Sequence, residues 1–102
     1  MIARIWTAAA TAEGAAAYVE HFQKRVQPEL QSLAGHRGAY LLQRQTENRV
    51  DIQVITLWAS LDAIRDFAGP DLETAVVEPE AQAVLLTYSR TVTHHDVVVD
   101  TI

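Results

Sequence analysis

Val50-Asp51-Ile52-Gln53-Val54-Ile55-Thr56-Leu57-Trp58-Ala59 is the stretch on which the fold turns. Side chains alternate along a strand, so Val50, Ile52, Val54, Thr56 and Trp58 share one face. The opposite face carries Asp51, Gln53, Ile55, Leu57 and Ala59. Both faces turn apolar toward the C-terminal half. A sheet with one side in water keeps alternating with polar residues, so this strand is expected to be covered on both sides. The chain's own helices supply one cover, and the other has to come from elsewhere.

Upstream, Gly38 to Gln45 is a second β-like stretch, joined through the short polar Thr46-Glu47-Asn48-Arg49 as an antiparallel hairpin would be. Before it, Ala15, Tyr18, Val19, Phe22, Val26, Leu30 and Leu33 recur at spacings of three and four, opposite Glu13, Glu20, Lys24 and Gln27. That is an amphipathic helix, with Thr11 as its N-cap. Pro28 has no N–H to donate, so a kink or tightening is expected there, and Gly35 ends the segment. Ile2 to Thr7 reads as a first strand. Downstream, Ser60 caps a shorter helix with Leu61, Ile64, Phe67 and Ala68 inward, stopped at Gly69-Pro70. Asp71 to Ala83 is helix-prone but interrupted at Pro79. Leu85 to Val99 is expected to close the chain as one long, bent or bulged strand. The order is β-α-β-β-α-β, the split arrangement of a ferredoxin-like α+β domain with an antiparallel sheet, spanning 1–102 as a single unit.

Composition excludes several function classes. The chain is 49% hydrophobic and 21% charged, an ordinary globular balance. Its 13 Asp+Glu outweigh 8 scattered Lys+Arg, so no basic surface exists to displace counterions from nucleic acid. No run approaches the ~20 apolar residues that cross a bilayer, and the N-terminus has no signal-peptide pattern. There is no cysteine. Disulfides and thiolate chemistry are excluded, and cytoplasmic residence is the default expectation.

The run Leu57-Trp58-Ala59-Ser60-Leu61-Asp62-Ala63-Ile64-Arg65-Asp66-Phe67-Ala68-Gly69 resembles a segment of small proteins related to antibiotic biosynthesis monooxygenases. Ala75 to Ala81 and the terminal Val92-Thr93-His94-His95-Asp96-Val97 resemble further segments of that family, with His95 and Asp96 standing where Tyr and Glu are usual. The resemblance implies a dimeric α+β barrel, in which the sheets of two copies close on each other. A homodimer would supply the missing cover. For activity it implies cofactor-free oxygenation of polyketide-derived aromatics, haem degradation, or neither, because a fold does not choose among chemistries. The haem-degrading branch carries a ligand histidine where this chain has Val76-Val77-Glu78, and Phe67 stands where the residue that ruffles the haem is a tryptophan. Haem chemistry is discounted.

Of four histidines, His21 reads as a partly exposed flank of the first helix and His36 as a surface residue. His94 and His95 are adjacent on a strand and point to opposite faces, so they cannot ligate one ion. No spacing supplies the three or four convergent ligands of a zinc site, and no phosphate loop, flavin or nicotinamide fingerprint is present. No cofactor is expected. His94 matches the terminal segment and has two candidate roles: a proton acceptor in a pocket, or a hydrogen-bonded histidine at the dimer contact. Three strands place an arginine on one face with a nearby aromatic: Arg4 with Trp6, Arg44 with Tyr40 and Leu42, Arg90 with Tyr88. If those faces meet, Arg4, Arg44 and Arg90 would hold a phenolate, enolate or carboxylate among Trp6, Tyr40, Trp58, Phe67 and Tyr88. If they do not, the arginines would pair with carboxylates across the dimer. The leading expectation is a cofactor-independent monooxygenase of a small, partly aromatic molecule. The other is a non-catalytic homodimer that binds a metabolite or has a structural role.

Overall fold

The computed structural model describes all 102 residues. Four strands lie in the order β2-β3-β1-β4, and a fifth, β5, also pairs with β1. They are β1 (Ile2–Ala10), β2 (His36–Gln45), β3 (Val50–Trp58), β4 (Thr87–Tyr88) and β5 (Thr93–Asp96). Every pairing is antiparallel. This is the expected ferredoxin-like α+β arrangement, with one departure. The single long strand anticipated over Leu85 to Val99 is broken in two: β4 pairs with Ala8 and Ala9, and β5 with Ile2 to Ile5. Between them, after Ser89, the chain leaves β1 and bonds elsewhere. The Ala75 N–H donates to the Arg90 carbonyl (2.9 Å) and the Val92 N–H to the Glu73 carbonyl (2.8 Å).

The first helix begins where Thr11 accepts from the Gly14 N–H through its hydroxyl (3.0 Å). It runs as α1 (Ala12–His21), a π-helical turn (Phe22–Val26) and α2 (Gln27–Gln31). Pro28 was expected to kink or tighten this helix, and instead the turn before it widens, the Gln27 N–H reaching back five residues to the Phe22 carbonyl. Proline lacks the N–H that would bond the carbonyl four residues earlier and its ring crowds that carbonyl; one extra residue in the turn relieves both problems. In α3 (Leu61–Ala68), capped by Ser60 and ended at Gly69 with φ +80°, Ile64 is fully buried while Phe67 and Ala68 are partly so. Leu61, expected inward, is 44% exposed because it sits in the first turn beyond the edge of the sheet contact. Only α4 (Pro79–Val84) of the helix-prone Asp71 to Ala83 is helical. Residues 69–78 instead form an irregular strap, held at Thr74 by a bridge to Thr91.

Register fixes which side chains meet the helices. Arg4 lies opposite Thr56, and Trp6 opposite Val54, so these share the covered face with Ile52 and Trp58. The core forms there, with Trp58, Leu30, Ile52 and Ile64 its largest fully buried side chains. The other face carries Ile5, Ile55 and Leu57 with Tyr40 and Leu42 at 43% and 42% exposure. No helix of this chain covers it. No helix is long and apolar enough to cross a membrane.

Gly14 brings α1 against the end of α4: a Cβ there would lie 2.3 Å from the Val84 carbonyl oxygen. Helix propensity alone favours Ala over Gly by about 1 kcal/mol. Overpacking against a backbone atom that cannot rotate away costs about 1–3 kcal/mol, so the clash wins. Gly14→Ala is therefore expected to lower the urea midpoint; a raised midpoint would show that α4 yields freely.

Candidate functional site

Between the covered sheet face and the helices lies a cavity of about 50 Å³. Its walls are mostly apolar, with Trp6 from β1, Phe22 from the π turn, Phe67 from α3 and Val76 and Val77 from the strap. Few polar side chains reach it, and the most buried charge among them is Arg4, 4% exposed. Strand β1 places Arg4 inward by alternation, directly beside His94 on β5. One guanidinium nitrogen donates to the Leu72 carbonyl (2.6 Å) and to His94 Nε2 (3.0 Å), and the other terminal nitrogen to the Thr74 carbonyl (3.0 Å). The guanidinium carbon lies 5.9 Å from the centre of the Phe67 ring, a cation–π contact. None of the four ion pairs involves Arg4. Burial lowers its pKa, the expected direction for a desolvated cation. With five N–H donors and three bonds made, two donors remain for a ligand.

Arginine can only donate, so His94 Nε2 accepts and the ring proton sits on Nδ1. Burial lowers the His94 pKa first, helped by the charges of Arg4 and His95 and opposed by Glu73. Its lone pair is committed to Arg4 and it does not line the cavity. That arrangement positions a guanidinium; it does not offer a free base to a ligand in the cavity.

At the cavity wall formed by α1, the imidazole is His21. It was expected as a partly exposed flank; the residue is of intermediate burial, with its side chain 8% exposed. Its Nε2 is buried, makes no hydrogen bond and lies 3.6 Å from Glu78 Oε2. Tyr18 stands between the Trp6 ring (5.7 Å) and the Phe22 ring (6.5 Å). Burial, and then the Glu78 carboxylate, push its phenol well up, so it stays a neutral donor. Tyr18 had been counted as helix stripe and Glu78 only as part of the helix-prone Asp71 to Ala83 segment. The available signal was that His21 follows Tyr18 by three positions, which puts it on the same helix side.

The three arginines do not gather. Arg44 lies opposite Asp51 on the uncovered face, at a groove of about 700 Å³ that Leu42 and Tyr88 also line. Arg90 is exposed in the gap between β4 and β5. Tyr40 is on the uncovered face with Arg44, away from the cavity. Trp58 is core: its Nε1 donates to Thr56 Oγ1 (2.8 Å), and its rings lie against Phe67 (5.8 Å) and His36 (5.2 Å). His36 is half-buried, not a surface residue, with an unpartnered Nδ1. Trp6 and Phe67 alone of the proposed aromatic walls reach the cavity with Arg4. No group of three or more His, Asp or Glu could hold a metal ion.

Burial lowers the pKa of both His94 and His36, so the folded state takes up protons less readily than the unfolded chain. Their stabilising contribution is complete above the unfolded value near 6.5 and is lost as pH falls from there through the folded values. The thermal midpoint should hold between about pH 7 and 8 and fall between about pH 6.5 and 5. His94→Gln, whose amide oxygen still accepts from Arg4, should fall less over that window. An identical fall in both proteins would remove His94 from the titration.

The family model for antibiotic biosynthesis monooxygenase matches residues 1–79. Arg4, Tyr18, His21, Phe67 and Glu78 lie inside that span; Arg90 and the His94-His95-Asp96 segment lie beyond it. No curated protein sequence matches the chain. The match takes in 79 of 102 residues, and the strand order is the one its fold requires. The chain belongs to the antibiotic biosynthesis monooxygenase family.

Proposed function

We propose that this chain binds a small, partly aromatic anion in the cavity at Arg4 and oxygenates it without a cofactor, working as a homodimer. The observation that carries the proposal is a buried guanidinium with no carboxylate partner, two spare donors and aromatic walls. A cation so placed stabilises negative charge far better than it would in water. In the proposed reaction an acidic C–H of the substrate loses its proton and the pair stays on the substrate as an enolate. Arg4 holds that charge, with His94 fixing the guanidinium. The carbanion then reacts with dioxygen itself, the resulting peroxide anion takes the proton back, and the hydroperoxide loses water to give a ketone. The proton passes to the imidazole at the cavity, His21 beside Glu78, in preference to His94. Arg44 and Tyr40 take no part in this site and belong to the face that the second copy would cover; Tyr88, opposite Ala8 and packed against the core, does not reach the cavity either.

Oxygen uptake with anthrone-type substrates that carry a carboxylate tests the chemistry. Arg4→Gln should lower kcat/KM by about 10²-fold, the effect of removing one buried charge-stabilising donor. His94→Ala should lower it less. Equal rates in native and Arg4→Gln proteins would sink the proposal. The cavity size favours a second reading, a non-catalytic dimer with a structural role: about 50 Å³ is well below the ~300 Å³ at which small-molecule pockets begin. The absence of both ligand binding and oxygen uptake in every native preparation would establish that alternative.

For the dimer, sedimentation at micromolar concentration should give twice the chain mass, and Ile55→Asp on the uncovered face should give a folded monomer. A native monomer at high micromolar concentration would overturn it.

A further inference from the structure

The cavity is too small for the molecule proposed to enter it, and its outer wall is the least regular part of the chain. The strap over residues 69–78 contributes Val76, Val77 and Glu78 to the lining. It contains no helix and only one bridged residue, Thr74. Gly69, with φ +80°, marks one end, and Pro79, the first residue of α4, marks the other. Along its length it is held by two backbone bonds to the 90–92 segment, by Gln82 donating to the Val77 carbonyl (2.9 Å), and by Glu78 near His21. From below it is held by Arg4, which donates to the Leu72 and Thr74 carbonyls.

We infer that Arg4 is a selectivity residue that acts through opening: the guanidinium that would hold a ligand's negative group also latches the strap shut, so anions open the pocket and neutral molecules of the same shape do not. This rests on the cavity being the binding site; it does not depend on oxygenation. A molecule larger than about 50 Å³ has to move the strap, and moving it takes two carbonyl acceptors away from a buried cation. A neutral amide or alcohol replaces one of them at best. A carboxylate, phenolate or enolate replaces both through two parallel N–H bonds and brings the opposite charge as well. His94 lies on β5, outside the strap, and keeps the guanidinium oriented while the exchange occurs. The arrangement makes charge, not shape, the first feature a ligand must present.

Thr74 and Thr91 provide the test. The bonds between Ala75 and Arg90 and between Val92 and Glu73 flank them, which makes them a non-hydrogen-bonded antiparallel pair. Such pairs have Cα atoms about 4.5 Å apart, within the disulfide range of about 4.4–6.8 Å. The chain has no cysteine of its own, so Thr74→Cys with Thr91→Cys can be closed and reopened cleanly. Benzoate and its neutral isostere benzamide are the probes, followed by tryptophan fluorescence, since Trp6 lines the cavity. In the native chain and in the reduced double variant, benzoate should bind at least about tenfold more tightly than benzamide. Oxidation should weaken benzoate binding by a similar factor, and reduction should restore it. Independently of any ligand, Arg4→Gln should speed amide exchange at Ala75 and Val92 by about tenfold while the β1–β3 amides stay protected. Unchanged strap exchange in that variant, equal binding of the two probes, no benzoate binding at all, or equal benzoate binding by oxidised and reduced proteins would each overturn the inference. Oxygen uptake is measured separately, and benzoate is only a binding probe. A native protein that selects benzoate but consumes no oxygen loses the oxygenase reading and keeps the latch.

Discussion

Strand β1 is hydrogen-bonded along both edges, and the rest of the molecule is arranged by that constraint. One edge is matched residue for residue to β3, from Ile2 opposite Trp58 to Ala10 opposite Val50; the other is shared between β5 and β4. A main chain paired in this way cannot slip by one residue without turning every side chain to the wrong face. Arg4 and Trp6 are thereby fixed inward. At the far end Ala8, Ala9 and Ala10 offer almost no side chain, and Ala15 and Gly14 meet them from α1. The small residues let the helix close on the sheet at one end, while larger side chains hold it open at the other, where the cavity lies.

A cation in that position is tolerated for reasons particular to arginine. Its charge is delocalised over a plane, it is less strongly hydrated than an ammonium, and it can satisfy several acceptors at once. Here the acceptors are two carbonyls and an imidazole nitrogen, with Phe67 beneath the plane. Partial charges solvate the guanidinium but do not neutralise it. The interior therefore keeps a net positive potential at one point, and a group with a full negative charge is the species it suits best.

Much of the fold was legible in the residues, and the parts that were not share a cause. The hairpin, the capped helix at Ser60 and the amphipathic first helix are set by local chemistry: alternation, a hydroxyl cap, a spacing of three and four. Strand faces across the sheet are a different matter. Arg4 stands two residues from Trp6 and Arg44 four from Tyr40, and only register decides that they lie on opposite sides. An irregularity between His36 and Gly38 sets the parity of β2, and it involves a glycine that any turn would also welcome. The π turn was hidden for a similar reason, since Pro28 announces a disturbance without saying whether the helix narrows or widens. His21 escaped because helical periodicity places it at the margin of the apolar stripe, where burial depends on what the strap does. The double-sided apolar character of Ile55 and Leu57 was plain, and one of those sides faces no helix of this chain.

The outer edge of the last strand has a consequence of its own. The Ser89 and Val97 N–H groups both bond β1, so by alternation the main-chain groups of Arg90 and Val92 point away from β1, where they bond Ala75 and Glu73. Where the strand steps away after Ser89, over Arg90 to Val92, that outer edge becomes a small side rail. An otherwise shapeless span is thus docked along an edge by two bonds that can be let go and remade without disturbing a single rung of the main ladder.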